Sequence, residues 1–204
     1  MMTSQKKTYH HGDLKAALVQ AGLEILEESG LDALSLRAIA ARAGVSHTAP
    51  RNHFRNLDAL LTAIAAEGFR QHAAEMRVGT QDAAPGPERL RAAAAGYVRF
   101  ARGNPALFQL MFSPRFDGAE DPDFRQAGQG SYAVLRDICQ GLIWPRPADS
   151  GAPGIEALRT EMLIWSITHG FAVLETKGQI PTDDQCRPLI DILDVLPEFP
   201  FAED

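Results

Sequence analysis

A run of polar side chains between residues 47 and 53 has the types and spacing needed to contact DNA. Its members are His47, Thr48, Arg51, Asn52 and His53. On a helix laid in the major groove these side chains would meet base edges, and an arginine can read guanine through O6 and N7. The alternative is that they belong to a simple helical hairpin packed in a core. The elements around the run decide between these interpretations.

The residues before this run favour a helix-turn-helix. A short helix should begin after Ser35 and run to Ala43. Ala40 and Ala43 supply the small residues that are needed where two helices cross. Gly44 can adopt left-handed backbone angles without a Cβ penalty, so it suits the turn. Val45 then fills the angle between the two helices.

A third helix of roughly residues 47–54 should follow, with Ser46 as its N-cap. Pro50 lies within this segment. A proline loses little near the first turn of a helix, because the backbone N–H groups there lack intrahelical partners. We therefore predict a stiff, slightly distorted first turn rather than a broken helix.

Helical spacing of apolar residues recurs along the chain, and the alternation typical of strands is essentially absent. We therefore predict an all-α protein of about nine helices, with an N-terminal three-helix head and a C-terminal helical bundle. The first helix should have Asp13 as its N-cap and should end at Gly30. The others should span about 35–43, 47–54, 56–77, 87–104, 105–112, 123–143, 155–177 and 183–194.

The segment from Tyr9 to Phe69 resembles the N-terminal domain of the TetR family of bacterial regulators. It contains GLDALSLRAIAARAGVS, then a short helix ending in HF, then LDALL. The resemblance implies a DNA-binding head whose third helix lies in the major groove, and a fourth helix that joins the head to the body. We therefore expect a helix-turn-helix domain at residues 1–55 and a ligand-binding and dimerisation domain at 56–204.

Two residues depart from the family pattern. Arg51 stands where the family usually has a tyrosine, and Leu57 stands where it usually has a lysine that opens the fourth helix. In the family both positions typically touch phosphates. Arg51 can replace a phosphate contact or read guanine, whereas Leu57 cannot replace lysine. We expect DNA binding to persist with one fewer phosphate contact on each subunit.

The segment before the first helix can add contacts, because a flexible basic arm can reach phosphates or the minor groove. A disordered terminus without a role is the alternative. A metal site at His10 and His11 is poorly supported, since no third ligand stands at a suitable spacing. The full set of residues predicted to bind DNA is Lys6, Lys7, Tyr9, Ser35, Arg37, Ser46, His47, Thr48, Arg51, Asn52 and His53.

The C-terminal part carries a second resemblance. WSITHGFAVLETKG, residues 165–178, resembles the Trp-His-Gly motif of one subgroup of TetR-like C-terminal domains, and NPALFQLMFSP, residues 104–114, is similar to the same subgroup. In the family this domain binds a small effector, and its last two long helices pair with a second subunit as a four-helix bundle. We accordingly predict a homodimer through the helices near 155–177 and 183–194, whose apolar patch is too large for a monomer's surface.

Aromatic and soft apolar side chains in the middle of the chain are candidates for the wall of an effector pocket. An apolar or aromatic ligand would suit them, although an ordinary core has the same composition. For His169, a structural role in core packing is favoured over contact with a ligand. The residues predicted to line the pocket are Phe108, Met111, Phe112, Phe116, Trp144, Trp165 and His169.

The net charge of −6 over 204 residues is unevenly distributed. Residues 1–72 hold eight basic and seven acidic side chains, and the remainder holds twelve and nineteen. A locally basic head on an acidic body can still place positive groups against phosphates. There is neither an apolar run of about 18 residues nor a secretory leader, so we expect a cytoplasmic protein in which Cys139 and Cys186 are free thiols.

Sequence patterns of catalysis are poorly represented. No Gly-rich phosphate loop follows a strand, and neither a His-Glu-x-x-His nor a Gly-x-Ser-x-Gly motif is present. We expect no enzyme activity, no cofactor and no metal. The predicted function is a dimeric, ligand-responsive transcriptional repressor that binds a palindromic double-stranded DNA operator. The competing hypotheses are a TetR-like module that binds a ligand or a protein but no DNA, and an enzyme of unknown class.

Overall fold

The computed structural model describes residues 11–116, 120–142 and 155–201. Within these ranges the chain forms eight α-helices and no sheet, which confirms the predicted all-α class. Three short 3₁₀ helices lie at Leu31–Ala33, Ala49–Asn52 and Pro114–Phe116. The α-helices are α1 (His11–Ser29), α2 (Leu36–Arg42), α3 (Leu57–Arg77), α4 (Pro87–Gly103), α5 (Pro105–Met111), α6 (Pro122–Ile138), α7 (Ile155–Thr176) and α8 (Ile192–Val195).

Local capping chemistry sets most boundaries of α1 and α2. α1 ends before Gly30, whose φ of 76° lies in the left-handed region. α2 begins after Ser35 as predicted, and Ser35 is its N-cap, because its Oγ accepts the N–H of Ala38 at 3.1 Å. Gly44 makes the turn after α2 with a φ of 69°. The N-cap expected at Asp13 is wrong, because α1 is helical from His11, the first residue that the structure describes.

Residues 47–54 do not form the α-helix that the sequence predicts. After a turn, the backbone makes only the four-residue 3₁₀ helix Ala49–Asn52. The N–H of Arg51 donates to the carbonyl of Thr48, three residues back, in the 3₁₀ pattern. Pro50 has no N–H, so it cannot donate the α-helical bond to the carbonyl four residues before it. Proline therefore changes the type of helix here, beyond the distorted first turn that we expected.

Ser46 is not the N-cap that we expected for this segment. The capping position is Thr48, which makes no side-chain capping bond, and the Oγ of Ser46 lies 3.2 Å from Oγ1 of Thr48. Because the helix starts later than predicted, Ser46 stands too far from it to serve as its cap. The segment is closed at its other end by the N–H of Phe54, which donates to the carbonyl of Pro50 at 2.8 Å.

α3 runs from the head into the body. It begins close to the predicted residue 56, and Asn56 is its N-cap, with Oδ1 accepting the N–H of Ala59 at 2.9 Å. Farther along, α3 packs against α4, α5 and α6, and α4 packs in turn against α7. Gly68 allows the close approach of α5, since a Cβ placed there would lie 2.7 Å from the sulfur of Met111. This single helix therefore contacts both the helix-turn-helix and the bundle.

The helix predicted over residues 183–194 is wrong for most of its length, because only Ile192–Val195 is helical. Asp183 instead organises a turn in which its carboxylate accepts the backbone N–H groups of Gln185 and Arg187, at 2.9 Å each. Hydrogen bonds with Arg187 hold the pKa of Asp183 below its usual value. A side chain that satisfies backbone donors in this way competes with helix formation.

Candidate nucleic-acid interface and ligand cavity

The polar run after α2 lies on the surface of the head. Pro50 is buried, so the 3₁₀ helix turns one side to the core and the other to solvent. Ser35 and Arg37, at the start of α2, are exposed, and His53 is half-buried. The exposed members of the run are Ser46, His47, Thr48, Arg51 and Asn52. Three other residues predicted to bind DNA lie outside the described residues: Lys6, Lys7 and Tyr9.

This surface carries positive charge. No acidic residue occurs between Ser35 and Leu57, whereas four arginines do. Arg42 of α2 is paired with Glu24 and Glu28 of α1, at 3.4 Å and 2.5 Å. The other three are exposed at Arg37, Arg51 and Arg55. A face with this charge suits the phosphates of a duplex.

Leu57, where the family usually has lysine, is the first residue of α3 and is half-buried. Its side chain packs against the hydrophobic core. The next residue, Asp58, pairs with Arg115 at 2.8 Å and so ties the head end of α3 to the 3₁₀ helix Pro114–Phe116. This packing explains a leucine at position 57 without any contact with DNA.

A cavity of about 320 Å³ lies in the body and is lined by α3, α4, α6 and α7. Its volume falls within the range of small-molecule sites, and most of its wall is aliphatic or aromatic. A few lining residues carry polar groups on this apolar background. They include His72, Tyr97, Ser131, Tyr132 and Thr168.

His72 of α3 is almost fully buried in the cavity wall. Its Nδ1 lies 2.8 Å from Oγ of Ser131, and its ring meets that of Tyr97 edge to face with the centroids 4.2 Å apart. Burial, with a smaller contribution from the charge of His169, lowers the pKa of His72 to about 3. The imidazole is therefore neutral near pH 7.

Tyr97 and His169 form a second hydrogen-bonded pair, with the Tyr97 hydroxyl 2.8 Å from Nδ1 of His169. Burial raises the pKa of Tyr97, and a hydrogen bond with Trp165 opposes that shift. Burial lowers the pKa of His169. Both groups are therefore neutral near pH 7, and the tautomer of the imidazole determines which of the two donates in this bond. The arrangement supports the structural role favoured for His169.

Tyr132 and Glu161 join α6 to α7 at the side of the cavity. The Tyr132 hydroxyl donates to the Glu161 carboxylate at 2.5 Å, and Glu161 is buried. Burial, reinforced by the bond to this carboxylate, raises the pKa of Tyr132 to about 12. The phenol therefore keeps its proton and can remain a donor to the carboxylate.

The residues predicted to line a pocket divide into three groups. Phe112 and Trp165 line the cavity, and the ring of His169 lies 4.5 Å from that of Phe112. Trp144 lies outside the described residues. The remaining three are buried in the hydrophobic core and do not line the cavity: Phe108, Met111 and Phe116.

Several polar residues of the cavity wall were missed from the sequence. A signal for His72 exists, since it follows Gly68 and precedes Met76 by four residues each, on the buried face of α3. A histidine at such a position indicates a buried polar contact. Its partner Ser131 is 59 residues away, and no local spacing could have revealed that pair.

Two other kinds of feature can be assessed in the part of the chain that the structure describes. In that part no cluster of three or more His, Cys, Asp and Glu side chains could hold a metal ion. None of the described helices combines the length and apolar character required to span a bilayer. Cys139 is buried, Cys186 is exposed, and both are free thiols as predicted.

Two family profiles match this chain, one in the head and one in the body. The family profile described as "Bacterial regulatory proteins, tetR family" matches residues 18–64, which contain α2 and the 3₁₀ helix. The profile described as "Tetracyclin repressor-like, C-terminal domain" matches residues 90–193, which contain most of the cavity wall. The two matches lie on either side of the cavity-lining half of α3.

Individual relatives agree with these matches. A structure of a protein with unknown function from Rhodococcus sp. RHA1 is 32% identical, with a TM-score of 0.68 over 85% of this chain and 88% of that one. The crystal structure of the putative regulatory protein SCO4313 is 27% identical, with a TM-score of 0.64 over 92% and 95%. The uncharacterised HTH-type transcriptional regulator Rv0681 of Mycobacterium tuberculosis is 24% identical over 180 residues, 88% of this chain and 78% of that protein.

A helix-turn-helix with an exposed polar surface, joined by one helix to a bundle with an apolar cavity, defines a ligand-responsive class of DNA-binding regulator. This chain belongs to the TetR family of bacterial transcriptional regulators. Its head is the DNA-binding domain and its C-terminal helices form the ligand-binding domain. The predicted family is thereby confirmed.

Proposed function

We propose that this protein is a repressor that binds a palindromic operator as a homodimer and leaves it when a small effector enters the cavity. The observation that carries the proposal is the exposed surface at residues 46–52, which displays polar groups and Arg51 in a segment without acidic residues. Such groups can contact base edges and phosphates. A regulator of this kind acts on chromosomal DNA in the cytoplasm and needs no catalytic group.

α3 supports a physical link between the operator and the effector. Its first turn packs with the head through Leu57 and Leu60, while Phe69, His72 and Met76 line the cavity. At 1.5 Å per residue, the two regions are only about 18 Å apart along one helix. An effector that favours a different position of α3 lowers operator affinity by the ratio of its affinities for the two states.

Exposed apolar side chains of α7 support a two-fold contact between subunits. Leu158 and Trp165, seven residues apart on one side of the helix, are 45% and 36% exposed, and Leu174 is also exposed. A Cβ placed on Gly170 would meet nothing within 4 Å, so a second backbone has room there. We propose α7 as the main dimer helix, in place of the predicted pair of long helices.

The test is selection of genomic DNA fragments at moderate salt by the purified protein, with sedimentation at micromolar concentration. We expect a dimer and enrichment of one discrete two-fold symmetric sequence. Arg51→Glu should abolish enrichment. Arg91→Glu, the same change at an exposed residue of α4, should leave it intact.

Other results would contradict the proposal in distinct ways. A monomer would remove the two-fold arrangement and with it the palindromic operator. A dimer that enriches no sequence would favour the alternative of a TetR-like module that binds a ligand or a protein but no DNA. Enrichment that is equal for wild type and Arg51→Glu would remove the proposed surface from the interface.

A further inference from the structure

Two polar atoms of the cavity wall have no hydrogen-bond partner among the described residues. They are Nε2 of His72 and Oγ1 of Thr168, and both atoms are buried. The two side chains are only 2% and 3% exposed, and both residues line the cavity. Buried polar groups are nearly always hydrogen-bonded, because leaving one unpaired costs its full desolvation energy.

The contacts of His72 leave one ring nitrogen available to a ligand. Nδ1 is engaged with the Ser131 hydroxyl, which can either donate to it or accept from it. Nε2 is correspondingly either a donor or an acceptor, depending on the tautomer. The Thr168 hydroxyl can also donate or accept. This pair of groups can therefore bond to a hydroxyl or to a carbonyl oxygen.

The charge of the wall favours a neutral ligand. No Asp, Glu, Lys or Arg occurs among the described residues that line the cavity. The burial that depresses the pKa of His72 keeps its imidazole uncharged near neutral pH. An ion that entered this space would lose its hydration without gaining a counter-charge.

The volume limits the size of the ligand. A buried apolar cavity of about 150 Å³ accommodates one benzene. The cavity of this protein, at about 320 Å³, has room for about twice that volume. A molecule the size of two fused aromatic rings fits this limit.

We propose that the cavity takes a neutral, largely apolar molecule of about two fused rings, whose single hydroxyl or carbonyl group hydrogen-bonds to His72 Nε2 and Thr168 Oγ1. The inference rests on the proposed effector-binding function of the same cavity. It adds the chemical class of the ligand and the two residues that select for an oxygen atom. The hydroxyl groups of Tyr97, Ser131 and Tyr132 in the same wall are already hydrogen-bonded within the protein, and most of the other lining residues supply apolar contact.

The test compares three probes of the same ring size, naphthalene, 2-naphthol and 2-naphthoate, by equilibrium binding to the full-length protein without DNA. One well-made hydrogen bond corresponds to about a tenfold gain in affinity. We expect 2-naphthol to bind about tenfold more tightly than naphthalene. The charged 2-naphthoate should bind most weakly.

Variants test whether His72 and Thr168 cause the preference for 2-naphthol over naphthalene. Thr168→Val keeps the shape of the side chain and should reduce the preference for 2-naphthol several-fold, and Thr168→Ser should restore it. Thr160→Val is the matched control on the same helix, since Thr160 is buried but its hydroxyl bonds to the carbonyl of Glu156. His72→Phe leaves the Ser131 hydroxyl without its partner, so it is combined with Ser131→Ala. In this double variant the affinities for naphthalene and 2-naphthol should become similar, while naphthalene still binds.

The outcomes separate this inference from the proposed function. Equal binding of naphthalene and 2-naphthol to the wild type would overturn the polar anchor and leave the cavity as an effector site. Failure of both neutral probes to bind would contradict the assigned ligand class. If the fragment selection enriched no operator sequence, only the regulatory proposal would be contradicted, because the affinities for naphthalene and 2-naphthol are compared without DNA.

Discussion

Gly96 of α4 lies directly against the backbone of Glu75 in α3: a Cβ atom placed on Gly96 would stand 2.4 Å from the Glu75 carbonyl oxygen. The obstacle is main chain, so no side-chain rotation can relieve it. The absence of a side chain at residue 96 therefore sets how closely α4 approaches α3, and both helices contribute to the cavity wall. Because α4 lies this close to α3, the ring of the next residue, Tyr97, contacts the ring of His72.

The first prediction compares two glycines in helices. Gly96→Ala should lower the free energy of unfolding by about 3 kcal/mol, since the added methyl group forces α3 and α4 apart. Gly128→Ala should raise it by about 0.5–1 kcal/mol, because a Cβ on Gly128 meets nothing within 4 Å and alanine favours a helix. Denaturant unfolding of both variants measures the difference. A Gly96→Ala protein as stable as the wild type would contradict the described packing of α4 on α3.

Features of the fold that depend on local chemistry could be predicted from the sequence. The helix starts at Ser35 and Asn56 could be predicted, because an N-cap bond reaches only three residues along the chain. Gly44 was predicted in the turn because its backbone freedom belongs to glycine itself. Helix boundaries of this kind depend on a few residues that are close together in the sequence.

Features that depend on competing hydrogen bonds or on contacts between distant residues were harder to predict. Pro50 and Asp183 lie in segments that were predicted to be α-helical. Pro50 has no backbone N–H to donate, and the carboxylate of Asp183 binds backbone N–H groups, so neither segment forms the predicted helix. The cavity wall depends on pairs such as His72 with Ser131, which only the packing of α3 on α6 brings together. Phe108, Met111 and Phe116 were predicted to line a pocket, yet their side chains lie in the core beside it.

The second prediction concerns acid stability. The pKa of His72 is about 3 in the folded chain and about 6.5 when the ring is in water. As the pH falls below about 6.5, the unfolded chain binds a proton that the folded chain does not, so the free energy of unfolding decreases. Between pH 7 and pH 5 this one group should remove about 2 kcal/mol.

The measurement is urea unfolding at pH 7 and pH 5 for the wild type and for His72→Asn, whose amide can retain a bond to Ser131. The variant starts from a lower stability, because it leaves unfilled volume in the wall. It should nevertheless lose about 2 kcal/mol less than the wild type over this pH interval. Equal losses in the two proteins would show that His72 is not the group held neutral by folding.

The third prediction concerns the two thiols. Burial, with a smaller contribution from the charge of Glu161, raises the pKa of Cys139 to about 12. At pH 8 only about one Cys139 in ten thousand is then a thiolate, the form that reacts. A maleimide should therefore label one thiol per folded chain, the exposed Cys186.

Mass spectrometry of the labelled protein gives the stoichiometry directly. Cys186→Ser should remain unlabelled in buffer and take up one label in denaturant, where Cys139 becomes accessible. Rapid labelling of two thiols in the folded wild type would contradict the burial of Cys139 at the end of α6.

The fourth prediction concerns Arg51, which is exposed on the 3₁₀ helix of the head. If its guanidinium reads guanine, Arg51→Ala should cost about 1–3 kcal/mol of operator binding and relax the preference at one base of each half-site. If it contacts a phosphate, binding should weaken equally on all sequences and the salt dependence should become shallower. Titrations of operator variants at several salt concentrations distinguish the two roles. Arg91→Ala, an equal change of charge far from the head, is the control.

The last prediction concerns Leu57, which is half-buried and packs on the core at the first residue of α3. A lysine there can keep its methylene stem against the same surface and extend its ammonium group to the DNA backbone. Leu57→Lys should then release one more counterion per subunit, so the slope of log K against log salt steepens by about 2 for a dimer. Sequence preference should not change, since phosphates carry no sequence information. The cost to stability should stay below about 1 kcal/mol, because only part of the leucine is buried and the charge reaches water. An unchanged slope together with a much lower melting temperature would mean that the packing of Leu57, and not a phosphate contact, determines the residue at this position.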